Sequence, residues 1–110
     1  MSLFQAQEWW SEKSPVDHEF AHGGLCLMPF NGSAGKSNLV VVGSLGGNLR
    51  IFHPKGDKGR NDNESNDLLC EAELEQPILQ VKSGRFVSPD SHSLCLLHPR
   101  KVTVYTLNFS

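Results

Sequence analysis

Two histidines and a glutamate near the start of the chain have the spacing of a zinc-hydrolase motif. The segment matches H-E-x-x-H and reads His18-Glu19-Phe20-Ala21-His22. On a helix, both histidines would lie on one face and bind zinc, with the glutamate as the general base. Pro15 before the segment and Gly23-Gly24 after it leave only about two helical turns. We therefore expect a solvated leader with two surface histidines, and keep a small zinc-dependent hydrolase as the alternative.

A second segment comes within one residue of a phosphate-binding P-loop. It reads Phe30-Asn31-Gly32-Ser33-Ala34-Gly35-Lys36-Ser37, with phenylalanine in place of the first glycine. A P-loop must open a helix whose N-terminus holds phosphate. The residues that follow, Leu39–Val42, form a β-type run. Asn, Gly and Ser are also typical turn residues, so we interpret Asn31–Ser37 as a hairpin turn rather than a nucleotide site.

His92, Cys95 and His98 have a spacing that suggests a metal site. Side chains alternate along a strand, so His92 and His98 would face one way and Cys95 the other. We interpret Cys95 as a small buried residue between two strand-end histidines. A Ser/His/Asp or Cys/His triad is not indicated, because no sequence signature places such partners together. The sequence therefore predicts no enzyme, no catalytic, cofactor-binding or metal-binding residue, and no cofactor.

Composition narrows the class of protein further. The 110 residues carry a net charge of −2, which gives no electrostatic case for nucleic acid or for acidic membranes. No apolar run is long enough to span a bilayer, and the leader lacks the pattern of a signal peptide. We expect a cytoplasmic chain without direct membrane insertion. Its three cysteines are then expected to be reduced: Cys26, Cys70 and Cys95.

The stretch from Leu39 to Pro54 is the hairpin around which the chain is organised. Leu39–Val42 is apolar and mostly β-branched, which predicts a strand buried on both faces. Gly46-Gly47-Asn48 supplies the positive φ angles of a tight turn. Leu49–Phe52 then alternates as a half-buried return strand, and Pro54 ends it.

Further strands are predicted on both sides of this hairpin. Leu25–Met28 is a short strand that Pro29 ends, and Lys55–Asn66 lacks hydrophobic residues, which predicts a solvated, mobile loop. Asp67–Glu75 alternates between apolar residues and glutamates; helix competes, but Pro77 and the alternation favour an edge strand. Turns at Ser88–Ser91 and Pro99-Arg100 separate three later strands, predicted at Ile78–Phe86, Leu94–Leu97 and Val102–Leu107.

The strands repeat. The proposed equivalences are Leu25–Met28 with Ile78–Val81, Leu39–Val42 with Leu94–Leu97, and Leu49–Phe52 with Val102–Tyr105. Four-stranded units at this period are typical of β-propeller blades. We predict an all-β fold of about two blades, incomplete because a closed propeller needs roughly four to eight. Such a chain would leave four apolar side chains only partly covered: Val40, Val42, Leu94 and Leu96.

Three segments of the chain resemble a known family. The leader is one of them, in Met1-Ser-Leu-Phe-Gln-Ala-Gln-Glu-Trp-Trp-Ser11. The most telling are Gly47-Asn48-Leu49-Arg50-Ile51-Phe52-His53-Pro54 and Pro77-Ile78-Leu79-Gln80-Val81. Together they resemble the N-terminal segment of the Bardet–Biedl syndrome nine protein family, a parathyroid-hormone-responsive family of BBSome subunits. The resemblance departs at Glu12–His22, at Asn31–Ser37 and at residues 55–66.

This resemblance implies the start of a seven-bladed propeller in a longer, non-catalytic protein. The family scaffolds a coat that carries membrane proteins to and from cilia, so the implied partners are other BBSome subunits. The implied locations are the cytoplasm, the cilium, the basal body and the centriolar region. A generic propeller-type peptide-binding module is a further alternative.

The expected organisation has three parts. Residues 1–23 form a leader that docks on the propeller, and Phe4, Trp9 and Trp10 are its large apolar groups. Residues 24–75 form the first blade, with the loop at 55–66, and residues 76–110 form a truncated second blade. The chain is expected to be a fragment or a short isoform.

Overall fold

Two antiparallel sheets make up the computed structural model, which describes residues 7–14, 18–32, 35–54 and 67–107. Four strands form the first sheet in chain order: β1 (Leu25–Gly32), β2 (Gly35–Gly43), β3 (Asn48–Phe52) and β4 (Leu68–Glu73). Three form the second: β5 (Gln80–Ser88), β6 (Ser91–His98) and β7 (Lys101–Tyr105). The described residues contain no helix. The all-β prediction, with about two blades of an incomplete propeller, is confirmed.

The core lies between the two sheets. One face of each sheet contributes to a single buried cluster: Met28, Leu39, Val41, Leu49, Ile51, Ile78, Val81, Leu94 and Leu96. At the inner edge β1 lies against β5, and Gly23 forms a parallel bridge with Gln80. The sheets are therefore stacked face to face with their first strands side by side, as in neighbouring propeller blades.

Several predicted boundaries need correction or lie outside the described residues. β1 continues through Pro29, which pairs with Asn38, so the prediction that Pro29 ends the strand is wrong. β1 is the first strand of its sheet, and proline is tolerated at an edge because the N–H it lacks can be one that faces away from the ladder. β5 begins at Gln80 rather than Ile78. The loop predicted at residues 55–66 and the apolar residue Phe4 lie outside the described residues.

The central strands β2 and β6 are each fully buried on one face only. Leu39 and Val41 are buried, whereas Val40 and Val42 are half-buried, so the prediction of burial on both faces is wrong for β2. Leu94 and Leu96, which were expected to be partly covered, have no exposed surface. On β6 it is the next positions, Cys95 and Leu97, that are partly exposed.

An offset of one residue in the proposed match of Leu39–Val42 with Leu94–Leu97 explains this error. Two blades related by a rotation bury opposite faces where they meet. The face that the first sheet buries in the core therefore corresponds to the face that the second sheet turns away from the core. The pairing of Leu25 with Val42 is then equivalent to that of Val81 with Leu96, so Leu25 corresponds to Val81 rather than to Ile78. Val42 therefore corresponds to Leu96 rather than to Leu97. Because side chains alternate along a strand, a shift of one residue moves each of them to the other face.

The β2–β3 turn depends on a single glycine. Among the described residues only Gly47 has a positive φ, of 93°, although the sequence suggested Gly46 and Asn48 as well. A Cβ on Gly47 would lie 2.6 Å from the carbonyl oxygen of Leu74. Both the backbone conformation and the space at this position thus favour glycine.

Alanine at Gly47 is expected to destabilise the fold by about 1–3 kcal/mol, through backbone strain and the close approach to Leu74. Gly46→Ala is the matched control, because its Cβ would have no neighbour nearer than Ser44 Oγ at 3.8 Å. It should change stability by about 0.5 kcal/mol or less. Thermal denaturation of both variants, in a longer form that completes the propeller, measures the difference. Equal costs would show that the turn does not depend on Gly47.

Candidate interaction surfaces

The H-E-x-x-H segment is not helical in the structure. Residues 18–21 have no regular secondary structure, and a turn follows at His22. The backbone of the segment lies beside the β2–β3 turn, where the carbonyl of Glu19 accepts a hydrogen bond of 2.7 Å from Leu45 N. The one-face arrangement that zinc binding requires is therefore absent here, and the zinc-hydrolase alternative gains no support.

Purified protein is expected to contain no stoichiometric zinc. The two histidines lie on no helix that would place them on one face, and the described residues hold no group of three potential metal ligands. Metal analysis by mass spectrometry checks the content, with a His18→Ala/His22→Ala double variant as the control. Near-equimolar zinc in the parent, lost in the double variant, would contradict the expectation.

The other two motifs lie on strands. Described residues of the P-loop-like segment belong to the β1–β2 hairpin, with Phe30 on β1 and Ser37 on β2, and no helix follows them. His92, Cys95 and His98 all lie on β6. His98 is buried on the core face, and its Nδ1 lies 2.9 Å from the carbonyl oxygen of Pro77. Cys95 points to the opposite face, so the three side chains do not converge.

Trp10 packs the leader against the face of the first sheet that points away from the core. Its ring packs edge-on against Phe52, with centroids 5.5 Å apart, and its Nε1 donates a hydrogen bond of 3.0 Å to Asp67 Oδ2. A buried indole usually finds such a partner, because its N–H is costly to bury alone. The neighbouring Trp9 is 61% exposed. No sequence pattern linked Trp10 to Asp67, which lies 57 residues away.

A polar network covers the outer end of β3 and β4. Asn48 Nδ2 donates to Glu71 Oε2 at 2.9 Å and to Glu73 Oε1 at 2.6 Å. Arg50 Nε donates to Glu71 Oε2 at 3.2 Å. The hydrogen bond from Asn48, followed by that from Arg50, lowers the pKa of the Glu71 carboxyl. The side chains of Glu71 and Glu73 are exposed, and charged side chains along an edge strand discourage pairing with another chain.

Two of the three cysteines belong to the core side of the first sheet. Cys26 and Cys70 pack against the buried cluster as partly buried residues. Burial raises the pKa of the Cys26 thiol to about 11, and it also raises the pKa of Cys70. Both thiols are therefore protonated and poorly nucleophilic at neutral pH.

Alkylation of Cys26 should be slow at pH 8 and should speed up until the pH reaches about 11. Folding favours the protonated thiol, so at pH 8 the thiolate should be roughly a hundredfold scarcer than in the unfolded chain. Iodoacetamide labelling of a longer form that completes the propeller, read at Cys26 by mass spectrometry, measures the rate at each pH. The same residue in urea is the control, and a folded-state rate that stops rising near pH 9 would contradict the shift.

An apolar surface remains open on the second sheet. Val102 is 63% exposed, Val104 is 44% exposed and Leu97 is 38% exposed. Strand pairing joins Leu97 to Val102 and Cys95 to Val104, so these four side chains lie side by side. We call this set the outer face. The outer face corresponds to the face of the first sheet that is buried in the core. The proposed match of Leu39–Val42 with Leu94–Leu97 did not reveal this equivalence, because it was off by one residue.

A second apolar surface is open on the first sheet. Leu25 and Leu27 of β1 are exposed and point away from the core, and Val40 and Val42 of β2 are half-buried beside them. Strand pairing places Leu25 opposite Val42 and Leu27 opposite Val40. Each end of the two-sheet stack thus presents apolar side chains at positions equivalent to buried ones in the other sheet.

No helix among the described residues is long and apolar enough to cross a membrane.

Comparison with known sequences gives a consistent set of relatives. The family described as PTHB1 N-terminal matches residues 1–110. Protein PTHB1 of Xenopus laevis is 41% identical over 109 residues, which cover 98% of this chain and 13% of that protein. Protein PTHB1 of Homo sapiens is 41% identical over 109 residues, with 98% of this chain and 12% of that protein covered. Protein pthb1 homolog of Caenorhabditis elegans is 27% identical over 110 residues.

The match extends over the whole chain, whereas the chain spans only 12–13% of the length of these relatives. The leader, the central hairpin and the blocks after Pro77 all fall inside the matched region. In this chain, the matched region forms the two stacked sheets with an exposed apolar face at each end. This chain belongs to the PTHB1 N-terminal family.

Proposed function

We propose that this chain forms the N-terminal part of a non-catalytic scaffold subunit of the BBSome. The observation that carries the proposal is family membership over the full 110 residues, at 41% identity to PTHB1 proteins. The coat that we propose it supports carries membrane proteins to and from the cilium and serves cilium assembly. Its partners are then other BBSome subunits, and its locations are the cytoplasm, the basal body and the cilium.

The architecture supports a role in assembly. The two sheets stack as blades of a propeller, and their outer apolar faces have the composition of blade-to-blade contacts. Such faces are covered when further blades are present, and a closed propeller presents rigid surfaces to other proteins. The 110 residues thus supply the beginning of a scaffold, and subunit contacts require the longer protein.

Affinity purification from ciliated cells tests the proposal. The full-length family member and the 110-residue chain are expressed with the same tag, and recovered proteins are identified by mass spectrometry. We expect BBSome subunits with the full-length form and few or none with the 110-residue form, because the latter lacks a closed propeller. Recovery of no BBSome subunit by the full-length form would overturn the proposal.

A full-length variant that lacks residues 1–110 tests whether this segment contributes to assembly with the other subunits. The proposal predicts that this deletion lowers recovery of the other subunits, because the propeller cannot close without its first two blades. Unchanged recovery would show that the N-terminal segment makes no contribution to the assembly.

A further inference from the structure

The leader covers one half of the face of the first sheet that points away from the core. Trp10 packs against Phe52 at one end of β3, and the carbonyl of Glu19 accepts a hydrogen bond from Leu45 N in the turn at the other end. Phe52 does not belong to the core cluster, yet it is only 4% exposed, because the ring of Trp10 lies over it. The described parts of the leader thus lie along the outer strands of this sheet.

The other half of this face is open. Leu25 and Leu27 on β1 are 63% and 57% exposed, and Val40 and Val42 on β2 lie half-buried beside them. We call these four residues the inner patch. An apolar surface is thus left between the leader and the inner edge of the sheet.

The second sheet shows what such a face contacts in a blade that has a neighbour on this side. Strand pairing makes Val40 equivalent to Leu94, which has no exposed surface because it lies in the cluster between the two sheets. Phe52 pairs with Val40 as Tyr105 pairs with Leu94, and Tyr105 packs against the same cluster. The inner patch and Phe52 therefore occupy the positions through which a blade contacts the blade before it.

In a closed ring the blade before the first is the last one. The second sheet stands on one side of the first, so only a blade from the other end of the ring can meet its free side. The matched relatives are long enough to supply one, because this chain covers only 12–13% of their length. Blades radiate from an axis, so neighbouring sheets stand further apart at their outer strands, where the ring of Trp10 adds bulk.

We propose that the leader is part of the seam that closes the propeller, held between the first blade and the last. The inner patch contacts the inner strands of the last blade, and the leader contacts its outer strands. Trp10 fixes the leader to the first sheet through Phe52 and Asp67, whereas Trp9 is 61% exposed and faces the last blade. The inference rests on the propeller of the proposed function, but not on BBSome membership, because the contact lies within one chain.

Photo-crosslinking in the full-length protein tests this contact. Benzoylphenylalanine takes the place of Trp9, and mass spectrometry of the peptides identifies the segment to which it attaches after illumination. We expect attachment to the last blade, far along the chain. The same probe at Val87 is the matched control, because Val87 is also 61% exposed but lies at the end of the β5–β6 hairpin. It should not attach to the last blade.

The variant Trp10→Ala distinguishes a role in the seam from a purely local one. Amide hydrogen exchange of the full-length protein should show protection reduced by at least about tenfold in β1 and in the last blade, and unchanged in β5, β6 and β7. Trp10→Phe keeps a ring on Phe52 but loses the hydrogen bond to Asp67, so its effect should be smaller. Val87→Ala should leave the protection of all these strands unchanged.

The proposal is overturned if the probe at position 9 attaches only within residues 1–110, to another blade, to another protein or to nothing. A loss of protection in Trp10→Ala that stays confined to the surroundings of Phe52 and Asp67 would also overturn it. Should Trp10→Ala fail to fold, the probe at position 9 still decides the question, because Trp9 is largely exposed. Recovery of BBSome subunits has no part in either readout, so a failure of the seam and a failure of the proposed function are distinguishable.

Discussion

Glutamate at both Val102 and Val104 is expected to have opposite effects in the 110-residue chain and in a longer form that completes the propeller. In the 110-residue chain both side chains are largely exposed, so the charges should reduce dye binding and aggregation. In the longer form a third blade covers this face, and two buried, unpaired carboxylates should cost more than about 3 kcal/mol of stability. Aggregation assays and thermal denaturation measure the two effects.

Val87→Glu provides the matched control for this double variant. Val87 is 61% exposed, close to the value of Val102, but it lies at the end of the β5–β6 hairpin and outside the outer face. Its replacement should leave the melting temperature of the longer form nearly unchanged. If the double variant were equally harmless in the longer form, the outer face would not be a contact between blades.

Most strands along the chain could be predicted from sequence because the signal for each of them is local. Alternation at Asp67–Glu75 predicted the edge strand β4, and β4 shows the expected alternation of burial. Turn residues at Pro89-Asp90 and Pro99-Arg100 separated the later strands correctly. The structure also places Leu39–Val42 and Leu94–Leu97 on equivalent strands of the two sheets, and likewise Leu49–Phe52 and Val102–Tyr105, whereas Ile78 and Leu79 precede β5.

The assignment of faces could not be predicted, because it depends on how the sheets stack. Leu94, Cys95, Leu96 and Leu97 are all apolar, so hydrophobicity alone does not tell which pair faces the core. The match of Leu39–Val42 with Leu94–Leu97 aligned two apolar runs and was off by one position. Requiring that stacked repeats bury opposite faces would have favoured the observed equivalence of Val42 with Leu96.

The candidate sites were predicted less well than the fold. The sequence drew attention to His98 through its spacing from Cys95, whereas the structure places its Nδ1 beside the carbonyl oxygen of Pro77. The contact between Trp10 and Asp67 joins distant parts of the chain and had no sequence signature. Contacts of this kind depend on the tertiary fold, which local patterns do not specify.

The 110-residue chain is expected to lack a cooperative folding transition. A propeller blade buries both faces against its neighbours, and stacked repeats gain stability from those contacts. Here Leu25 and Leu27 remain exposed at one end of the stack, and Val102 and Val104 at the other. The burial lost is roughly 1.5–3 kcal/mol per side chain, and the whole stability of a domain is only about 5–15 kcal/mol. The free edge of β7 adds a site for association between chains.

Thermal denaturation of the purified 110-residue chain, beside a longer form that completes the propeller, tests the two-blade account most directly. The account predicts aggregation, binding of hydrophobic dyes or a broad, non-cooperative transition for the 110-residue chain. It predicts a sharp transition for the longer form. A sharp, reversible two-state melt of the monomeric 110-residue chain would contradict the assignment of blades or the need for closure.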